Sequence, residues 1–155
     1  ILVFAAKHCS GKGEVAESVQ ADHLFLEKVA ELKKGAYDAY ASFSLRKAAA
    51  VVMELAQAGN VYFDSKQPWK ATPEERTLTI AHCRRALQTL AIISAPIIPT
   101  AAKQLWHLLG YEGEIVDWNA DPDPLPNDLP PPTRLFQRVD EEVIEREAAA
   151  LRKTV

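Results

Sequence analysis

Apolar residues recur at helical spacing along nearly the whole chain, and that period decides what the chain can fold into. Phe25, Val29, Leu32, Ala36 and Tyr40 fall three or four apart, with Lys28, Glu31 and Lys34 off the stripe. This is the pattern of a helix with one buried face. A second stripe runs Leu45, Ala48/Ala49, Val52, Leu55/Ala56, Gly59 and Tyr62/Phe63, with Ser44 or Ser42 available as its N-cap. A third helix is expected from Thr72-Pro73-Glu74-Glu75, which offers a cap, a proline at the first helical position and acids in the first turn. Its stripe of Ile80, Cys83, Leu87, Leu90/Ala91 and Ser94 ends at Pro96. From Ala86 to Ile98 it is apolar almost all round, so this is the expected central helix.

A shorter helix is expected from Pro99-Thr100 to Leu109, closed by Gly110. The stretch from Trp118 to Thr133 is rich in proline and aspartate and reads as an extended surface loop. It leads to a hydrophobic re-entry at Leu135-Phe136, after which Asp140 caps a last helix with Val143/Ile144, Ala148 and Leu151 inward. Ile1 to Cys9 has the pattern of the tail of a helix, and a chain opening on Ile1 is expected to be a piece of a longer protein. Nothing alternates well enough for a sheet; Glu114 to Trp118 makes one strand at most. The expected fold is all-α: one domain over residues 1–155, a bundle of about five helices with a long Pro/Asp-rich loop before the last.

Composition narrows the classes of function. Hydrophobic residues make up 48% of the 155 and charged residues 25%, which is globular usage. The longest apolar candidate, Leu87 to Ile98, is interrupted by Gln88, Thr89, Ser94 and Pro96, so no membrane partner is expected. Two cysteines are too few for a disulfide framework, and a reducing, cytoplasmic setting is expected. His8-Cys9 and His82-Cys83 could suggest a metal. Neighbouring helical residues diverge by about 100°, however, so each pair faces one ion poorly and no metal site is expected. The net charge of −3 does not mark a nucleic-acid binder, but charge is unevenly spread. Ser42 to Leu87 carries seven Lys/Arg against four Asp/Glu, while Tyr111 to Glu142 carries two against nine.

The segment Asn60-Val61-Tyr62-Phe63-Asp64-Ser65-Lys66-Gln67-Pro68-Trp69-Lys70 is the most informative short stretch. Pro68 fixes its own φ and biases Gln67 away from helix, so the second long helix must stop there. Trp69 is thereby held at a rigid corner between two lysines, able to serve as a packing anchor or as a flat stacking surface. Aromatic-plus-cation surfaces stack exposed bases of single-stranded nucleic acid, and they also dock protein domains. Catalytic patterns are missing. Gly11-Lys12-Gly13 lacks phosphate-loop spacing, and no serine sits in a nucleophile elbow. The pairs Glu74-Glu75 and Glu141-Glu142 sit where helix starts favour negative charge. His107 reads as a partly buried helix residue. The chain is therefore expected to bind or position something, with no catalytic centre of its own.

Three features together resemble the C-terminal, anticodon-binding helical domain of the methionyl-tRNA synthetases, within the class I aminoacyl-tRNA synthetases. They are Asn60-x-Tyr62 followed by Pro68-Trp69, Arg84-Arg85-Ala86-Leu87 leading to Pro96-Ile97-Ile98-Pro99, and the closing Leu135-Phe136-Gln137-Arg138-Val139-Asp140. The resemblance implies that Trp69 stacks on the anticodon of a methionine tRNA (CAU), chiefly at its first base. It gives Asn60, Tyr62 and Pro68 a supporting role at the corner and makes Lys66 and Lys70 candidate phosphate contacts. It also implies that an asparagine and an arginine that read the anticodon lie upstream of Ile1. The parent would be an ATP- and magnesium-dependent ligase whose catalytic domain is not in this chain, with tRNA and not DNA as partner. Two alternatives remain: the equivalent domain of a valine, isoleucine, leucine or cysteine enzyme, and a helical protein-docking module with Trp69 buried.

Overall fold

The computed structural model describes residues 1–8, 22–115, 125–126, 128–136 and 139–152. Six helices follow in order: α1 (Leu2–His8), α2 (His23–Ala41), α3 (Leu45–Lys66), α4 (Pro73–Ser94), α5 (Pro99–Leu108) and α6 (Glu141–Arg152). No strand occurs among the described residues, and Glu114 and Ile115 are not extended into one; 116–118 lie outside them. The fold is all-α, as the period requires.

α2, α3 and α4 pack pairwise against one another, and α5 packs on α4. Their shared core takes Phe25, Val29, Leu32 and Ala36 from α2, Leu55 and Tyr62 from α3, and Cys83, Ala86 and Ile93 from α4. Removing these side chains from water is the principal stabilising term, and α4, touched on several sides, is the central helix. The Tyr40 hydroxyl donates to the Ile93 carbonyl at 2.8 Å and ties the end of α2 to the end of α4. Cys83 is buried, and its burial pushes the thiol up to about 12, leaving it a small inert hydrophobe. Cys9 lies outside the described residues, among which no three potential ligands gather for a metal.

The expected starts and stops are built from local chemistry. Thr72 accepts from the Glu75 N–H, and the Glu75 carboxylate accepts from the Thr72 N–H at 3.0 Å, a complete capping box ahead of Pro73. Ser44 is the N-cap of α3 by position but makes no capping bond through its side chain. Gly110, at φ +90, closes α5. A Cβ there would lie 2.5 Å from the Asp128 carbonyl oxygen and 2.9 Å from Pro126, so this glycine both turns the chain and admits the proline-rich loop. The buried Arg84 guanidinium donates to the Pro126 carbonyl from the other side. A second core cluster of Ala91, Leu105 and Leu109 is covered by Trp106, Tyr111 and Leu135.

Several inward assignments are overturned. Leu45 is exposed, because Ala48 is the first α3 residue that the core covers. Val143 and Ile144 are 37% and 55% exposed: α6 is amphipathic, but it joins none of the main helix pairs. The Leu151 side chain is outside the description. Phe136 is exposed while its neighbour Leu135 packs, so the re-entry is made by one residue of the pair. His107 is exposed too, its Nδ1 lying 3.0 Å from the Tyr111 carbonyl, on the open side of α5. No helix is long and apolar enough to cross a membrane among the described residues.

Candidate functional site

The corner between α3 and α4 is assembled from short-range rules and four side-chain contacts. α3 ends at Lys66, and Gln67 takes a left-handed conformation at φ 44, ψ 57, which turns the chain out of the helix. The Lys70 N–H then donates back to the Gln67 carbonyl at 2.8 Å. Pro68 and Trp69 divide the two roles open to the indole. The proline ring is fully buried and anchors the corner, while the indole stands 48% exposed. The corner thus shows solvent a large aromatic surface, which a buried anchor would not.

Arg76, one turn into α4, holds the corner from behind. Its Nε donates to the Pro68 carbonyl at 2.9 Å and its Nη2 to the Ala71 carbonyl at 3.2 Å. Both carbonyls belong to a turn in which no helix ladder could satisfy them. On the other side, the Phe63 ring lies 5.8 Å from the indole at 58°, and Phe4 of α1 meets Phe63 edge-on at 5.7 Å. Phe63 belongs to the aromatic stretch noted in the sequence, but Arg76 is not singled out there. The usable signal was an arginine eight residues past the proline, in the first turns of the next helix, where it can reach back.

Tyr62 is the hub of the three-helix end. Its ring stacks on Phe25 at 3.9 Å and 7°, and its hydroxyl shares a 2.8 Å hydrogen bond with His82 Nδ1. Burial raises the Tyr62 phenol and lowers the His82 imidazole, so both neutral forms are favoured and the bond joins α3 to α4 without a buried charge. The Lys66 ammonium lies 5.4 Å from the Tyr62 ring centroid and 2.8 Å from the Asp22 carboxylate. The hydrogen bond from Lys66 holds the Asp22 carboxyl below its ordinary value. Lys66 is therefore engaged at rest. Lys70 is exposed and forms no ion pair among the described residues.

Both lysines, with Asp22, Tyr62, Ser65 and Glu75, line a cleft of about 390 Å³ between the ends of α2, α3 and α4; Trp69 is not among its lining residues. The corner thus separates the indole, on the Phe63 side, from the two cations, on the cleft side. Asn60 stands exposed on α3 with no side-chain hydrogen bond among the described residues, while Pro68 is buried and Arg76 bonds to the corner's carbonyls. The expected set is brought to one end of the bundle, but on two faces of it.

A three-helix core with a braced turn and an exposed indole makes this an α-helical bundle domain, and the chain belongs to a family of helical domains. The family described as the anticodon-binding domain of tRNA ligase matches residues 22–154. Among its relatives is a methionine–tRNA ligase of Protochlamydia amoebophila, 41% identical over 99% of this chain and 24% of that protein. Another, from Methanopyrus kandleri, is 32% identical over 90% of this chain and 22% of that protein. The chain therefore spans about a quarter of the length of these relatives. A crystal structure of apo methionyl-tRNA synthetase from Mycobacterium tuberculosis superposes with a TM-score of 0.78 over 90% of this chain and 30% of that one, at 21% identity. That likeness is one of fold.

Proposed function

We propose that this chain recognises the anticodon of a methionine tRNA as the helical domain of a methionine–tRNA ligase, with Trp69 as the surface on which an unpaired anticodon base stacks. The observation that carries the reading is the inversion at the corner: Pro68 buried, Trp69 half exposed, and the turn between them clamped by Arg76. A rigid, solvent-facing indole stacks a base with little loss of side-chain freedom. Pro68 and Tyr62 support it from within the bundle, and Asn60 is left as an exposed polar group on the same end of α3. Lys70 is the readier phosphate contact, since Lys66 must first share or leave Asp22.

Ligation itself, with ATP and magnesium, is assigned to a catalytic domain elsewhere in the protein, in the cytoplasm. The relatives' names favour methionine over the other class I amino acids. The test is a titration of a CAU anticodon stem-loop. Trp69→Ala is expected to weaken binding by about 1–3 kcal/mol, the worth of one base–aromatic stack. A folded Trp69→Ala protein that binds with unchanged affinity would falsify the proposal.

A further inference from the structure

Trp69 is one end of a file of four rings. Phe63 meets the indole at 5.8 Å, Phe4 meets Phe63 at 5.7 Å and 82°, and the His8 imidazole lies 4.4 Å from Phe4 at 36°. The two inner rings are partly buried, and the two outer ones are exposed. His8 sits in the last turn of α1 beside the exposed Lys7. Its ring packs against Phe4 at a tilt, and as the residue is exposed, ring surface is left open to solvent.

We propose that His8 is a second stacking position for an unpaired RNA base, separated from the one on Trp69 by the two phenylalanine rings. The inference rests on the reading of Trp69 given above and extends that surface from the α3–α4 corner onto α1. The chemistry that supports it is the same at both ends: a flat ring, backed by another aromatic, with a lysine next to it. Surfaces that bind single strands place successive aromatic rings for successive bases, and stacking needs no particular base edge. The intervening phenylalanines keep the two platforms at a fixed separation, so a strand engaging both meets a preset geometry instead of ordering it on arrival.

The experiment uses the protein at its natural length with His8→Ala, His8→Tyr and Trp69→Ala. The probes are a CAU anticodon stem-loop and three copies of it, each lacking one anticodon base. His8→Ala is expected to raise the Kd for the intact RNA about fivefold, the low end of a stack because imidazole is smaller than indole. His8→Tyr restores the affinity. One of the abasic RNAs makes wild type and His8→Ala bind alike, and a different one does so for Trp69→Ala. Wild-type affinity in His8→Ala overturns the inference, as does a loss that persists on all three abasic RNAs, which would mark His8 as a support for the fold. If Trp69→Ala is weakened while His8→Ala is not, only the second platform falls. If both bind as wild type, the anticodon reading falls with it.

Discussion

Two turns of this bundle each carry an exposed aromatic residue at or near a non-glycine position of positive φ, and only one of them is braced by another helix. At the α2–α3 turn, Phe43 itself has φ 55 and is 92% exposed, its N–H donating to the Tyr40 carbonyl. Ser42 bonds back to the Asp38 and Ala39 carbonyls, but no side chain from another helix bonds to this turn among the described residues. At the α3–α4 corner the positive φ belongs to Gln67, one residue before a buried proline, and Arg76 reaches in from α4. An exposed aromatic is thus no sign of a site by itself. What distinguishes the second turn is that its backbone carbonyls are held by a neighbouring helix, so the direction in which the indole faces is determined.

The comparison can be broken at its strongest point first. Arg76→Ala removes two charge-assisted hydrogen bonds from turn carbonyls and is expected to cost about 2 kcal/mol of stability. It should also loosen the Trp69 emission environment; denaturant melts with fluorescence read both, and an unchanged midpoint would mean the corner is held by Pro68 alone. Thr72→Ala takes away one half of the capping box and should cost about 1 kcal/mol, read in the same melt. Phe43→Asn tests the other turn from the opposite direction. Asparagine tolerates the left-handed region, so the variant should gain stability, by up to about 1 kcal/mol, with no change in affinity for the stem-loop. Weaker RNA binding in Phe43→Asn would show that the recognition surface reaches the far end of the bundle.

Much of this architecture was legible in the sequence because its causes are local. The capping box at Thr72, the stop before Pro68 and the glycine after α5 are decided within a few residues, and the stripes of α2 and α4 follow from one period. The failures also have a physical form. Leu45 and Val143/Ile144 obey the same period as the core residues, but periodicity says only that a face is apolar, not that another element covers it. The pairings Tyr62–His82, Arg84–Pro126 and Arg76–Pro68 join polar groups across turns and loops, where tertiary placement alone selects the partner. At the candidate site, residue type and spacing pointed to Trp69 and its lysines as the proposed contacts. They could not reveal that the corner would put the indole on one face and the cations on another, or that Asp22 would already hold Lys66.

The distance between Pro68 and Thr72 has a consequence for how this segment can vary. The first is buried in the bundle and the second begins the ladder of α4, so Trp69, Lys70 and Ala71 bridge two fixed points. Their identities can change with little effect on the path of the chain. Their number cannot: one residue more would have to bulge, and one fewer would pull the proline from its seat or unwind the first turn of α4. Spacing, more than identity, is what the two ends constrain, and an insertion at this place should be more damaging to the fold than any single replacement within it.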